Sequence, residues 1–422
     1  MKFILFFILL CWNFASGLDI QQAIKLAIKH SETIKEQNQL YSQSQSLSKA
    51  KLSTLMPKID LNYIFSYNVP GNTSTYFLNS FNITGKYNLF NGMKDYYKIQ
   101  DSKQSQKAQG YILQSKIADI TLQTKIAYIS TLQAIDSLKI AQESKKLLEA
   151  QKKKAQQFYK QGFRAKNEVL SVEVLLANAN IALKSTQLNL EYSKNLLASL
   201  TASSINLEDI EDIATNTQMS FDKNTIVEKI LSENPDYLYL LSLLKSAQIQ
   251  VGIAKGAFMP TIDVVGIKFW YLDGGGIART SYALQSQARV VFGWNLFNGM
   301  SDHFNYQAKK LYYLSLISKI NQYKKDLKIQ TDKVINDFNL AKEQYKLTSV
   351  SLEQAEENYR ITNNRYTQNI ATYTELLNAQ FLLTTAKTNI TRSKYELAIA
   401  LAKIDRLLNT DSISSHRHSE EN

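Results

Sequence analysis

Cysteine is nearly missing from this chain: the only one, Cys11, falls within the first 17 residues. That segment reads as a secretory signal peptide, residues 1–17. Lys2 is followed by the apolar run from Phe3 to Leu10, and Ala15, Ser16 and Gly17 offer small residues for cleavage before Leu18. A lipidated cysteine wants a small residue before it, and Leu10 is not small, so lipidation is not expected. With the leader removed no cysteine remains, which excludes disulfides and thiol catalysis. The apolar run is too short to span a bilayer as a helix, which takes about 20 residues, and no later segment approaches that length. A secreted chain without such a helix is either soluble or crosses a membrane as a barrel.

Helix breakers are also scarce. The four prolines (Pro57, Pro70, Pro235, Pro260) lie outside 71–234 and 261–422, and no glycine follows Met300. Breakers missing over such lengths imply very long helices. Among the four histidines only His416-Arg417-His418 cluster, in a tail expected to be disordered, so no metal site is expected. Gly274-Gly275-Gly276 does not match a phosphate loop, since strands flank it on both sides. The serines lack a strand-turn-helix nucleophile elbow. The chain is therefore not expected to be an enzyme or to carry a cofactor. Its 49 basic residues exceed 37 acidic ones by 12, but the lysines are dispersed along helical stretches. Solvated helix faces account for most of that charge, and no nucleic-acid partner is expected.

What is present is one pattern written twice. Met56-Pro57-Lys58-Ile59-Asp60-Leu61 returns as Met259-Pro260-Thr261-Ile262-Asp263-Val264, 203 residues later. Asn88-Leu89-Phe90-Asn91-Gly92-Met93 returns unchanged at Asn295–Met300, 207 residues later. The larger offset persists: Tyr159, Gln161, Glu168 and Leu170 match Tyr366, Gln368, Glu375 and Leu377. The four extra residues fit Asp273-Gly274-Gly275-Gly276, a tip between two strands. Apolar residues Val334, Phe338, Ala341, Tyr345, Leu352, Ala355, Tyr359 and Tyr366 follow steps of three and four, a coiled-coil seam. A helix from Met93 to Lys160 would be about 100 Å long, too long for a compact domain.

Two hairpins lie between the helices. The first strand sets Ile59, Leu61, Tyr63, Phe65, Tyr67 and Val69 against Asp60, Asn62, Ser66 and Asn68. Its partner sets Phe81, Ile83, Tyr87 and Leu89 against Ser80, Asn82, Thr84, Lys86 and Asn88. The fourth strand sets Tyr282, Leu284, Val290, Phe292, Trp294 and Leu296 against Gln285, Gln287, Arg289 and Asn295. The third is irregular near Lys268, Phe269 and Tyr271, where a bulge is expected. Such alternation with aromatic, lipid-compatible faces matches tilted transmembrane strands; a soluble hairpin packed on the helices is the plainer alternative. Four strands cannot close a barrel, since the smallest known have about eight. The chain must oligomerise, and physics alone permits a dimer, trimer or larger ring.

Over essentially the whole mature chain this order resembles the TolC-family outer-membrane efflux proteins. The residues that carry the resemblance are Leu18-Asp19-Ile20-Gln21-Gln22-Ala23-Ile24, the two Met-Pro pairs and the two Leu-Phe-Asn-Gly turns. To these add Arg365-Tyr366-Thr367-Gln368-Asn369 and Glu375-Leu376-Leu377-Asn378-Ala379-Gln380. The resemblance implies a mostly α fold with transmembrane β: a duplicated α-β-β-α-α repeat whose homotrimer forms a 12-stranded β-barrel continued by an α-helical periplasmic tunnel. The first repeat would span 18–201, with hairpin 57–90, long helix 93–160 and returning helix 164–200. An equatorial segment, 202–222, precedes the second repeat, 223–409, with hairpin 260–297, long helix 300–368 and returning helix 372–408. The short helices would lie near 19–55 and 164–200, and the tail 410–422 would be disordered.

By the same resemblance the chain is a passive exit duct in the outer membrane of a Gram-negative bacterium. It would serve a tripartite efflux pump or type I secretion, with a periplasmic adaptor and an inner-membrane pump or ABC exporter as partners and the lipid bilayer as its setting. A periplasmic coiled-coil adaptor or a structural or adhesive fibre protein is the alternative. Gly162 and Asn369 would be the turns of the helical tips, where the adaptor docks. Glu375 and Asn378, three apart on one helix face, would line the tunnel's narrow end. Glu168 and Tyr366 match positions that link neighbouring coils in the closed state. Where the family can carry arginine this chain has Ala371, leaving Arg164, Lys166 and Arg365 as substitutes. Asn91, Gly92, Asn298 and Gly299 would turn the chain from barrel to long helix. Against the gate reading, Glu168 and Glu375 would be ordinary first-turn acids favoured by the helix dipole.

Overall fold

The structure is a computed structural model that describes residues 18–69, 71, 75–214, 219–274, 286–368 and 370–410. The expected leader and tail, Gly275, Gly276, Tyr282, Leu284, Gln285 and Asn369 lie outside the described residues. The helices α1 (Ile20–His30) and α2 (Glu32–Lys51) lead to strands β1 (Lys58–Asn68) and β2 (Tyr76–Asn91). Helices α3 (Lys94–Lys160) and α4 (Lys166–Thr201) follow. The second copy runs α5 (Lys223–Glu233), α6 (Pro235–Lys255), β3 (Thr261–Gly274), β4 (Ser286–Gly293), α7 (Ser301–Thr367) and α8 (Tyr373–Leu408). The protein is mostly helical, an α-β-β-α-α pattern repeated twice.

Two features depart from the sequence expectation. The first helix is not continuous over 19–55 but breaks at Ser31, whose N–H closes α1 on Ala27 while its hydroxyl accepts from Ile34 N at 3.3 Å. Asn234, 203 residues later, breaks the second copy likewise, closing α5 on Ile230, with Pro235 opening α6. Proline suits that first helical position because its missing N–H has no helical partner there. The second departure is β4, which ends at Gly293 rather than continuing to 297. Its last pair is Thr261–Gly293, and Pro260 has no N–H with which to continue the ladder. Trp294 and Leu296 therefore lie beyond the strand.

Repetition extends to the backbone. Gly92-Met93 and Gly299-Met300 all have positive φ, so each strand-to-helix turn takes two successive left-handed residues. Ala202 and Asn409, again 207 apart, both end a returning helix with φ near +50°.

The described residues form two compact units. One holds residues 18–35, 115–234 and 327–410 and is entirely helical apart from the inter-repeat segment. Its core uses small and hydroxylated residues: Ala127, Thr131, Ala341, Ala355 and Ala402 are buried beside Ile129, Phe338 and Leu197. Buried Thr124 and Thr131 satisfy their hydroxyls on Ile120 and Ala127 carbonyls of their own helix, which allows close helix approach without an unpaired donor. The expected seam faces inward, with Phe338, Ala341, Ala355 and Tyr366 buried. Leu18 bridges Ile210, and the Tyr128 hydroxyl lies 2.7 Å from the carbonyls of both Leu18 and Glu211, which ties the inter-repeat segment to the start of α1. Desolvation, reinforced by Asp19 and Glu211, pushes the Tyr128 phenol well above its ordinary pKa, so it acts as a neutral donor.

The other unit holds residues 36–114 and 235–326, including a four-stranded antiparallel sheet in the order β1-β2-β3-β4. The irregularity expected in the third strand is a bulge at Leu272, between the pairs Ser80–Tyr271 and Asn79–Asp273, and a second bulge falls at Leu89. At the foot of the sheet the backbones of Gly92 and Gly256 nearly touch: a Cβ on Gly92 would lie 2.4 Å from the Gly256 carbonyl oxygen. Gly299, its counterpart in the second copy, has open space. Alanine costs about 1–2 kcal/mol at either position for the left-handed backbone. At Gly92 the backbone overlap adds about 1–3 kcal/mol. Denaturation of the two alanine variants should therefore place Gly92→Ala clearly below Gly299→Ala; equal stability would deny the close approach.

Candidate functional site

Two places carry the chemistry, and each belongs to its own unit. In the sheet, alternation separates the faces. On one, Asn62 donates to Asn82 at 3.1 Å, Asn88 donates to Asp263 at 2.7 Å, and Lys86 pairs with Asp263 at 3.2 Å. The opposite face carries Ile59, Leu61, Tyr63, Phe65, Tyr67, Tyr87, Leu89, Val290 and Phe292, all exposed. Tyr63 packs on Phe81 and Phe65 on Phe77 across the strands. An apolar face of this extent is not left to water, and no helix of the described residues is long and apolar enough to cross a membrane.

At the first helical tip, α3 ends in a paired closing motif: Gly162 N bonds Tyr159 O, Phe163 N bonds Phe158 O, and Gly162 supplies φ +75°. The second tip repeats the outer bond, Ile370 N to Arg365 O at 2.9 Å; Asn369 itself lies outside the described residues. Below the turns, Tyr366 is 3% exposed and sits in a cluster with Ala155, Val172, Ala371, Tyr373 and Leu376, with Phe158 against it. Its copy in the first repeat, Tyr159, is 45% exposed. Duplication thus fixed the residue but not its burial.

Two cations lie close to the Tyr366 ring. Lys154 Nζ lies 5.3 Å from its centroid and the Arg164 guanidinium 5.6 Å, within range of a cation–π attraction. Arg164 also pairs with Glu168 at 3.7 Å. Of the three candidate cations, the structure therefore brings Arg164 to Glu168 and Tyr366, while Lys166 and Arg365 are exposed. Ala371 is buried, so an arginine at that position would be forced into an apolar cluster. Burial pushes the Tyr366 and Tyr373 phenols upward, aided by Glu168, and desolvation pulls the Lys154 ammonium down.

Glu375 and Asn378 are both exposed on α8. Glu375 closes a capping box: its carboxylate accepts from Thr372 N at 2.7 Å, and its N–H donates to Thr372 Oγ at 3.2 Å. Glu168 lacks that arrangement because its helix starts at Ala165, which has no capping side chain. Asn91, ending β2, donates to Asp95 at 3.2 Å in the first turn of α3, and Asn298 accepts from Ser301 N at 3.0 Å. Sequence reasoning missed Met93 and Met300 as the second left-handed residues of these turns; only their identical repetition hinted at a constraint. It also missed the exposed apolar pair at the tips, Phe163 (70% exposed) and Ile370 (63%), again 207 residues apart.

These features define a class of protein in which one polypeptide supplies both membrane-compatible strands and long helical hairpins. A profile of the outer membrane efflux protein family matches residues 23–203 and 226–410, and the chain belongs to that family. Its fold is similar to that of the outer membrane protein VceC from Vibrio cholerae, with TM-score 0.80 at 15% identity, over 93% of this chain and 97% of that one. It is similar to the CmeC outer membrane channel of Campylobacter jejuni, with TM-score 0.75 at 18% identity, over 96% and 89%. The open state of the Neisseria gonorrhoeae MtrE outer membrane channel gives TM-score 0.78 at 15% identity, over 94% and 91%. No curated protein matches the sequence significantly.

Proposed function

We propose that this chain is the passive outer-membrane exit duct of a tripartite efflux assembly or a type I secretion system, working as a homotrimer with its helical tips as the gate. The observation that carries this reading is the sheet: one face of hydrogen-bonded polar side chains, the other of exposed aromatic and aliphatic ones, on four strands whose outer members, β1 and β4, have no further neighbour among the described residues. Open edges in hydrocarbon leave backbone groups unsatisfied, so β1 of one copy pairs with β4 of the next, and three copies give twelve strands. A soluble adaptor or fibre would have no use for such a surface. The leader, removed on export, delivers the chain to that membrane.

Gly162 and Asn369 turn the tips, and Phe163 and Ile370 beside them give each tip an apolar residue for a periplasmic adaptor. The exposed face bearing Glu375 and Asn378 lines the constriction, where three copies of Glu375 favour cations over anions. Arg164, Glu168 and Tyr366 hold the tips closed. Energy and cargo choice come from the inner-membrane partner, a pump or an ABC exporter.

Planar-bilayer conductance of the mature protein tests this, with Glu375→Gln alongside. Glutamine can also close a capping box, so the substitution removes charge while leaving the helix start intact. The expected result is a small cation-preferring conductance whose permeability ratio falls toward one in the variant. An unchanged ratio would remove Glu375 from the gate but keep the duct. A protein that folds and does not insert into membranes would overturn the whole reading.

A further inference from the structure

In the sheet-bearing unit, α6 separates two cavities of opposite character. The first, about 360 Å³, is lined by Asp101 and Asp302 together with Gln250 and Lys309. The second, about 450 Å³, gathers Lys245, Lys255 and Lys310 with Tyr97, Tyr306 and Tyr313, and no carboxylate lines it. Helical spacing places Gln250, Ile253 and Ala254 on one face of α6, with Ala257 in the turn that follows it, and Lys245, Gln248, Gly252 and Lys255 on the other. The lysines that α6 contributes to these cavities, Lys245 and Lys255, thus both fall on the side of the second one.

The basic cavity is a built feature. Gly252 lets the Tyr97 ring lie flat on α6: a Cβ there would meet three ring carbons at 3.0–3.1 Å. Lys255 Nζ lies 5.9 Å from the Tyr306 ring centroid, and Lys245 donates to Gln248 at 3.1 Å. The lining thus offers ammonium and phenol donors, with nothing negative in it to answer them.

Its position names the occupant. Tyr97 sits in the first turns of α3 after β2, Lys255 is the last residue of α6 before β3, and Tyr306 sits in the first turns of α7 after β4. Beside the strand ends Phe258, Met259, Trp294, Leu296, Phe297 and Phe304 are all exposed, an apolar and aromatic girdle of the kind that marks a membrane–water boundary. Trp294 Nε1 donates to Phe258 O at 3.1 Å, and the Phe258 ring meets the Tyr306 ring edge-on at 6.5 Å. Girdle and cavity therefore share a wall. A headgroup layer is about 5–8 Å deep on each side of the hydrocarbon. Tyr97, Lys255 and Tyr306 lie within one or two helical turns of the strand ends, while Lys245 and Lys310 lie about 14–15 Å along their helices and mark the far side of the cavity.

We propose that this cavity binds the phosphate of an anionic phospholipid headgroup in the leaflet next to the helices, with the acyl chains on the Phe258–Trp294 girdle. The inference rests on the membrane-spanning reading of the sheet. Lysines beside an anionic surface attract it additively, and the tyrosine hydroxyls orient the phosphate oxygens. A lipid held where strand passes into helix fixes the depth of that junction in the bilayer.

Native mass spectrometry of the full chain in detergent tests it, titrating phosphatidylglycerol and phosphatidylcholine of identical acyl chains. The expected result is roughly tenfold tighter binding of phosphatidylglycerol. That preference should be lost in Lys255→Gln/Lys310→Gln, retained in Lys255→Arg/Lys310→Arg and reduced in Gly252→Ala, with phosphatidylcholine binding unchanged throughout. A preference that survives the glutamine pair would overturn the site. Displacement of the lipid by millimolar inorganic phosphate would identify a free-anion site and overturn the headgroup. A chain that inserts and conducts but shows no headgroup preference defeats this inference alone; one that does not insert defeats the membrane reading as well.

Discussion

Lys125→Met should destabilise the protein by about 3–5 kcal/mol, because it removes the cation that sits against a buried carboxylate. Lys125 Nζ lies 2.7 Å from Asp405 Oδ2, with side chains 1% and 2% exposed. Taking both charges out of water is costly, and their attraction offsets that cost only while both are present. Methionine keeps the length and apolar volume of the lysine stem, so the loss reports the charge and not a cavity. Arg406, beside Asp405 in α8, is occupied with Asp119 at 2.7 Å and Ser115 at 3.2 Å. The double variant Lys125→Met/Asp405→Leu should recover most of the loss, since well-packed apolar residues replace buried pairs at little net cost. Chemical denaturation of all four species gives the coupling as a double-mutant cycle. A Lys125→Met loss below about 1 kcal/mol, the range of exposed pairs, would show that water reaches the pair.

That pair also shows what the sequence could and could not convey. The long helices were legible because proline and glycine are missing and apolar residues recur in threes and fours, both local signals. The duplication was legible because Asn-Leu-Phe-Asn-Gly-Met repeats letter for letter, and it carried the order of elements with it. Lys125 was not. In a chain with 49 basic residues it looks like one more solvated lysine, and Asp405 is 280 residues away. Nothing in either neighbourhood marks a buried charge, because only packing brings the two helices together. The breaks at Ser31 and Asn234 were visible in principle, since Pro235 is a known helix opener and the 203-residue offset maps its neighbour onto Ser31. The tip followed the same rule. Glu168 and Tyr366 are expectations from the resemblance and the turn at Gly162 from its residue type, while only coordinates place Arg164, rather than Lys166 or Arg365, beside them. All three side chains are cationic, and what sets Arg164 apart is its direction.

Tyr366→Ala should have the largest effect on conductance. The ring is buried among Ala155, Val172, Tyr373 and Leu376, meets Phe158 edge-on at 6.3 Å and has the Lys154 and Arg164 cations 5.3 and 5.6 Å from its centroid. Truncating a buried aromatic costs about 3–5 kcal/mol through lost burial and the cavity left behind. Here the loss falls at the end of the helical hairpins, so the expected consequence is a loosened tip rather than a global collapse. With the ring gone Arg164 loses its stacking partner, and the Arg164–Glu168 pair, at 3.7 Å and partly exposed, contributes at most about 1 kcal/mol alone. Under the proposed gate, single-channel conductance in planar bilayers should rise several-fold over the parent. Tyr366→Phe should stay near the parent value, because it keeps the ring that the cations face. Tyr159→Ala, at the equivalent but exposed position of the first repeat, should change little. The three variants together separate the two explanations of a tip residue. If Tyr159→Ala and Tyr366→Ala raise conductance equally, the tip responds to any lost aromatic and the cluster is not the latch. If Tyr366→Ala melts earlier with unchanged conductance, the cluster holds the hairpin ends together but does not set the width of the opening.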